Sequence, residues 1–229
     1  MKSFTAEHTP ADIVNVFPQA SDLFKLQRIN FCCSGDQPLR TYFTEKSELS
    51  ITDVLTQLNA DYQTWIEKDI HTIKWDQLSS TELIDHILEH HHSYLKGELP
   101  VIGEFVTRIY NVHGTGEPHL GELHRLYDVF KTTMEDNMMK EENELYPLIK
   151  EYENKPSEAT KLMIDNATNQ LKLSLQSATN LLDKMRGLTN GFRPPATACG
   201  SYKVTYSRLA ELESNTLQHI HLENNLLLQ

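Results

Sequence analysis

The feature that most constrains this chain is a four-residue histidine-to-glutamate step in helical sequence, present intact once and altered once. His219-Ile-His-Leu-Glu223 lies near the C-terminus, and Asn137-Met-Met-Lys-Glu141 repeats the step earlier, with asparagine where the imidazole would stand. Four residues is slightly more than one helical turn, so both side chains of each pair leave the helix on one face. Two such steps on facing helices are how a helical bundle builds a carboxylate-bridged two-metal site in its core. The pattern predicts an all-α chain with ligands turned inward.

Glycine and proline punctuate the chain at the edges of long periodic segments, which sets the predicted elements. Thr9 caps a helix that opens on Pro10 and runs through Phe17, and Pro18 restarts one to about Gln27. Asn30-Phe-Cys-Cys-Ser-Gly35 reads as a loop, Pro38 opens a short helix, and Ser50 caps another to about Lys68. These residues, 1–68, form a small helical N-terminal module carrying Cys32 and Cys33. Residues 69–79 are a weakly patterned linker. Ser79 with Glu82 is a capping box that starts the main body at about residue 80. Four amphipathic segments follow, at about 80–112, 118–153, 157–189 and 197–228, joined by short Gly- and Pro-containing turns. Short connections between long helices imply antiparallel neighbours, so residues 80–229 are expected to be an up-down-up-down four-helix bundle.

Register supports a common layer. Counted from the turn near Thr115, His92 lies about 23 residues back, with Asn137 and Glu141 about 22 and 26 forward. At about 1.5 Å per residue these share a level. From the turn near Arg193, Leu175 lies about 18 residues back and His219 and Glu223 about 26 and 30 forward. A longer turn absorbs that offset.

Composition excludes several functions. A formal net charge of −11 repels nucleic acid and anionic membrane surfaces alike. No apolar run is long enough to span a bilayer, and Met1-Lys-Ser-Phe-Thr lacks the apolar core of a signal peptide. A soluble, cytoplasmic chain is expected. Three cysteines, two of them adjacent, make no disulfide framework.

Phe31-Cys-Cys-Ser-Gly35, Met138-Met-Lys-Glu-Glu142 with Tyr146-Pro147, Pro194-Pro-Ala-Thr-Ala-Cys199 and His221-Leu-Glu-Asn-Asn225 resemble the repair-of-iron-centres family. These are iron-sulfur cluster repair proteins of the hemerythrin-like di-iron class, and the likeness, to the staphylococcal branch in particular, covers nearly the whole chain. It implies a non-heme di-iron centre with one histidine from each bundle helix and two bridging glutamates. Carried onto this chain, the metal ligands are His92, Glu141, His219 and Glu223. The second-helix histidine falls on Asn137 and the third-helix histidine on Leu175. A carboxamide is a poor ligand for ferrous iron and a leucine is none, so iron occupancy is in question. The resemblance further implies damaged iron-sulfur proteins as partners, nitric oxide or oxygen as small ligands, a homodimer, and thiol or iron exchange at Cys32 and Cys33.

Neighbouring side chains offer little replacement. His221 points about 200° from His219, and His124 lies on the face of its helix opposite Asn137. His90 and His91 adjoin His92, although a run of histidines is commonly a solvated face. Met134, Met138 and Met139 read as core filler, since thioethers suit softer metals. Cys32 and Cys33 are too close for an unstrained mutual disulfide, and Cys199 reads as a partly buried small residue. Two further readings stay open: a metal-depleted binding or thiol module, and a hemerythrin-like gas sensor or carrier. The residues leave catalytic turnover undecided, because donating iron is not turnover.

Overall fold

The computed structural model describes residues 3–33, 35–43, 50–67 and 75–228. Lys68, the first part of the expected linker (69–74) and Gln229 lie outside the described residues. The described residues are helical with no strand. The all-α class and the helical bundle expected from the pattern are what the chain adopts. Contacts group it into two compact units, Ser79–Ile220 and Met1–Leu78 with His221–Gln229.

In the N-terminal unit, α1 (Pro10–Val16) begins where Thr9 accepts a hydrogen bond from the Asp12 amide, with proline just inside the helix start. Helix α2 (Ala20–Leu26) follows. The short helix expected after Pro38 is a 3-10 turn, Leu39–Tyr42. Helix α3 (Ile51–Glu67) turns Val54, Leu58 and Tyr62 inward, and the Tyr62 ring packs on Phe4 and Phe17 at 4.8 and 5.6 Å between centroids. Each such residue removed from water contributes roughly 1.5–3 kcal/mol. The Asn59 amide holds the incoming N-terminal segment, accepting from the Phe4 amide at 2.7 Å and donating to the Phe4 carbonyl at 3.0 Å.

The chain's last residues join this unit because their side chains satisfy its loop. Asn224 and Asn225 donate to the Cys32 carbonyl at 3.2 and 3.1 Å. His221 Nε2 stands 2.9 Å from Asn15 Oδ1, with its ring against Phe31. Asn30 Oδ1 accepts from the amides of Cys32 and Cys33 at 3.1 and 2.9 Å. The Cys32-Cys33 loop is thereby held by side-chain amides, with the two sulfurs 3.7 Å apart.

In the bundle unit, the first long helix is α4 (Ser80–Ile87), a π turn (Leu88–His92) and α5 (Ser93–His113). The second is α6 (His119–Lys140), a π turn (Glu141–Leu145) and α7 (Tyr146–Asn154). The third is α8 (Glu158–Leu188), and the fourth is α9 (Gly200–Leu222), whose last two residues, with the π turn that follows at Glu223–Leu227, group with the N-terminal unit. The Ser79–Glu82 capping box forms in both directions. Antiparallel pairing is visible in the polar ties. Glu153, near the end of α7, accepts from the Ser80 and Thr81 amides at 2.8 and 3.1 Å, satisfying donors that open α4. Arg186 on α8 makes a two-pronged ion pair with the buried Glu213 on α9. After α8 the chain turns through Gly191 at φ 74°, where a side chain would be strained.

One expectation fails here. Cys199, expected partly buried, is exposed, because it precedes α9 at the bundle end, where its sulfur lies 3.4 Å from His113 Nε2.

Candidate metal centre

His92, Glu141 and His219 come together in the bundle interior, each with at most 1% of its surface exposed. His92 Nε2 is 3.0 Å from Glu141 Oε2 and 3.2 Å from His219 Nε2, and His219 Nε2 is 3.8 Å from the same carboxylate oxygen. A triangle with these sides has a circumscribed circle of radius about 2 Å, the length of a metal bond to imidazole or carboxylate, about 2.0–2.2 Å. One ion placed at that centre reaches all three donors without movement of the helices. Among the described residues no other group of three or more such donors converges. Two imidazoles and one carboxylate around open positions are the donor set of mononuclear non-heme ferrous sites. A buried carboxylate facing two buried imidazoles also needs positive charge among them, as a proton or as a metal ion.

The three π turns fall at the expected ligands. One ends at His92, one begins at Glu141 and one begins at Glu223. A π turn inserts one residue into the helix and re-aims the side chains beyond it, at the expense of good hydrogen-bond geometry, and such turns concentrate at functional sites. The first turns both His91 and His92 inward, so the expected solvated histidine run is divided. His90 is exposed, while His91 is buried, 3.2 Å from Asn215 Oδ1 and stacked on the His219 ring at 5.8 Å. Burial, and then the neighbouring His219, push the His91 imidazole down to about 3, so it is a neutral wall of the site.

Glu223 is fully buried, four residues beyond His219 along the same continuous helix. Asn137 is buried too, and its Oδ1 accepts from Ser174 on α8 at 2.6 Å. Asn137 Nδ2 has no hydrogen-bond partner among the described residues. Asn137 and Glu141 share a cavity of about 40 Å3, which α8 closes with Ala167, Gln170, Leu171 and Ser174. That is room for a water molecule or two. Leu175 is fully buried, and the α8 residue that bonds to Asn137 is Ser174, one position earlier. The donors present therefore fit one ion, and the position beside Asn137 has the chemistry of a water site.

Sequence reasoning missed Glu142, Lys96, Tyr146 and Ser174 as neighbours of this centre. Glu142 Oε1 lies 2.6 Å from His92 Nδ1, and the Tyr146 hydroxyl lies 3.5 Å from His92 Nε2. The Glu141-Glu142 pair in one of the quoted motifs was the available signal.

Helical layers of histidine and glutamate like this one define the hemerythrin class, and residues 83–229 match the hemerythrin HHE cation binding domain. The chain belongs to that family, within the group that carries a second domain ahead of the bundle. Residues 6–62 match that domain, ScdA_N, whose function is unknown. The chain is 31% identical over 224 residues to the iron-sulfur cluster repair protein ScdA of Staphylococcus epidermidis, covering 97% of each. It is 29% identical over 235 residues to ScdA of Staphylococcus haemolyticus, again covering 97% of each. It is also 29% identical over 210 residues to the iron-sulfur cluster repair protein YtfE of Escherichia coli, covering 92% of this chain and 90% of that one.

Proposed function

We propose that this chain takes part in repairing iron-sulfur clusters damaged by oxidative or nitrosative stress, using iron held by His92, Glu141 and His219. The observation that carries the reading is the meeting of three buried donors around a point about 2 Å from each. Glu223 is assigned as a further carboxylate donor, delivered by the helix that carries His219. Ferrous iron, when bound, would supply open positions for nitric oxide or oxygen and a cation that could be donated to a damaged cluster. The chain's own residues do the rest. His92 and His219 present lone pairs, Glu141 supplies the anion that keeps a cation in the interior, and the wall around His91 excludes water.

The stoichiometry proposed is one firmly held iron per chain. The Asn137–Ser174 pair occupies the place where a second imidazole would be needed. The functional division proposed is residues 80–229 for iron and 1–68 for exchange at Cys32 and Cys33. A cytoplasmic location is part of the proposal, in keeping with three cysteines that make no disulfide framework, and no helix among the described residues is long and apolar enough to cross a membrane.

The test is reactivation of a damaged cluster enzyme by variants assayed side by side, with iron content measured after anaerobic purification. Glu141→Ala is expected to abolish both, and Cys32→Ser to slow repair while leaving iron in place. Full repair by Glu141→Ala with loss of repair in Cys32→Ser would transfer the function to the thiols and favour the metal-depleted module.

A further inference from the structure

We propose that Glu142 is a positioning residue for His92. Its carboxylate, anchored by Lys96, holds the imidazole with the proton on Nδ1 and the Nε2 lone pair turned to the metal position. The inference rests on the reading of His92, Glu141 and His219 as metal ligands.

The geometry uses each carboxylate oxygen of Glu142 once. Oε1 lies 2.6 Å from His92 Nδ1, and Oε2 accepts from Lys96 Nζ at 2.7 Å. A neutral imidazole carries one N–H, and Glu142, 2.6 Å from Nδ1, claims it ahead of Glu141, 3.0 Å from Nε2. Nε2 is then left as the lone pair, on the side where Glu141 Oε2 and His219 Nε2 stand. Consecutive residues on a helix diverge by about 100°. Glu141 and Glu142 can therefore straddle one ring, the first at Nε2 and the second at Nδ1. His92 is gripped at both nitrogens by adjacent carboxylates from the facing helix.

A bound cation is affected in two ways. A carboxylate accepting from Nδ1–H makes the imidazole a better donor at Nε2 and fixes the ring plane. Lys96, through its hydrogen bond to Oε2, holds that carboxylate in place. Fold stability alone does not account for the arrangement. The Lys96 side chain is 56% exposed, and a pair at such a site contributes little to folding.

The full chain is titrated with Co2+ as probe, comparing the unmodified protein with Glu142→Ala and Glu142→Gln, while long-range proton–nitrogen spectra of the metal-free protein locate the His92 proton. Glu142→Ala is expected to weaken Co2+ binding about 10- to 100-fold, to change the ligand-field spectrum and to move the proton to Nε2. Glu142→Gln still accepts from Nδ1 and should fall between; it decides the matter if Glu142→Ala does not fold. Unmodified chain that binds Co2+, with both variants matching its affinity, spectrum and tautomer, would overturn this inference alone. Unmodified chain that takes up no Co2+ would overturn the metal reading and this inference with it.

Discussion

The two halves of the buried polar layer start from the same helical step and end with different chemistry. On one side His92, His219 and Glu141 close a donor triangle with no gap to fill but an ion. On the other, Asn137 spends its carbonyl on Ser174 and leaves an amide facing a cavity of about 40 Å3. The difference teaches that a position without a metal donor need not disturb the packing of its layer. A carboxamide keeps the volume and polarity of an imidazole well enough for the helices to pack, yet it withdraws the lone pair that a ferrous ion needs. The layer thus has three converging donor atoms on one side and a polar pair beside a cavity on the other.

The largest expected effect sets the halves directly against each other. His219→Ala should lower iron affinity by at least about 100-fold, whereas Asn137→Ala should leave iron per chain unchanged, because only the first removes a donor. Equal loss in both variants, measured by metal analysis after anaerobic purification, would show that the halves act as one site.

A gain of function sharpens the same contrast. Asn137→His combined with Ser174→His should raise iron toward two per chain, because these two side chains already touch across the cavity. Asn137→His with Leu175→His, the pair that sequence register suggests, should gain less. If the Leu175 version binds the second iron better, the alignment of α8 against α6 drawn from the hydrogen bond is wrong.

Acid should separate the halves more gently. His91 is pushed down to about 3, chiefly by burial, while an unfolded histidine titrates near 6.5. Below about pH 6.5 the unfolded chain takes up a proton that the folded one refuses, so stability present above that pH is lost as the pH falls toward 3. Between pH 7 and 5 the loss from this one residue is roughly 2 kcal/mol in the metal-free chain. Urea midpoints at the two pH values should converge in His91→Gln. The Asn137–Ser174 side contributes nothing to that slope, since neither group titrates, and an unchanged slope in His91→Gln would place the acid sensitivity elsewhere.

Much of this molecule was legible in its sequence because the signals are local. The Ser79–Glu82 box, Pro10 after Thr9, and the turns near Thr115, Pro156 and Arg193 mark helix ends through backbone hydrogen bonding within a few residues. Glu141 and His219 were reachable from the four-residue step and His92 through the family resemblance, with the count from the turns as a check. The π turns were not. They are alternative hydrogen-bonding patterns of ordinary helical sequence, and they decide that His91 faces inward while His90 does not.

The sequence by itself determined the helical class, the four long segments, the chemistry of each donor and the absence of an imidazole at positions 137 and 175. Those depend on composition and on the fixed 3.6-residue turn. Only the tertiary structure decided that three donors close to bonding distance of a single point, that Ser174 rather than Leu175 answers Asn137, that Glu142 takes the far nitrogen of His92, and that Cys199 stands in solvent. These depend on how one helix slides and rotates against another. Side-chain packing across the interface sets that to within about an ångström, and a one-residue shift in a helix changes which group arrives.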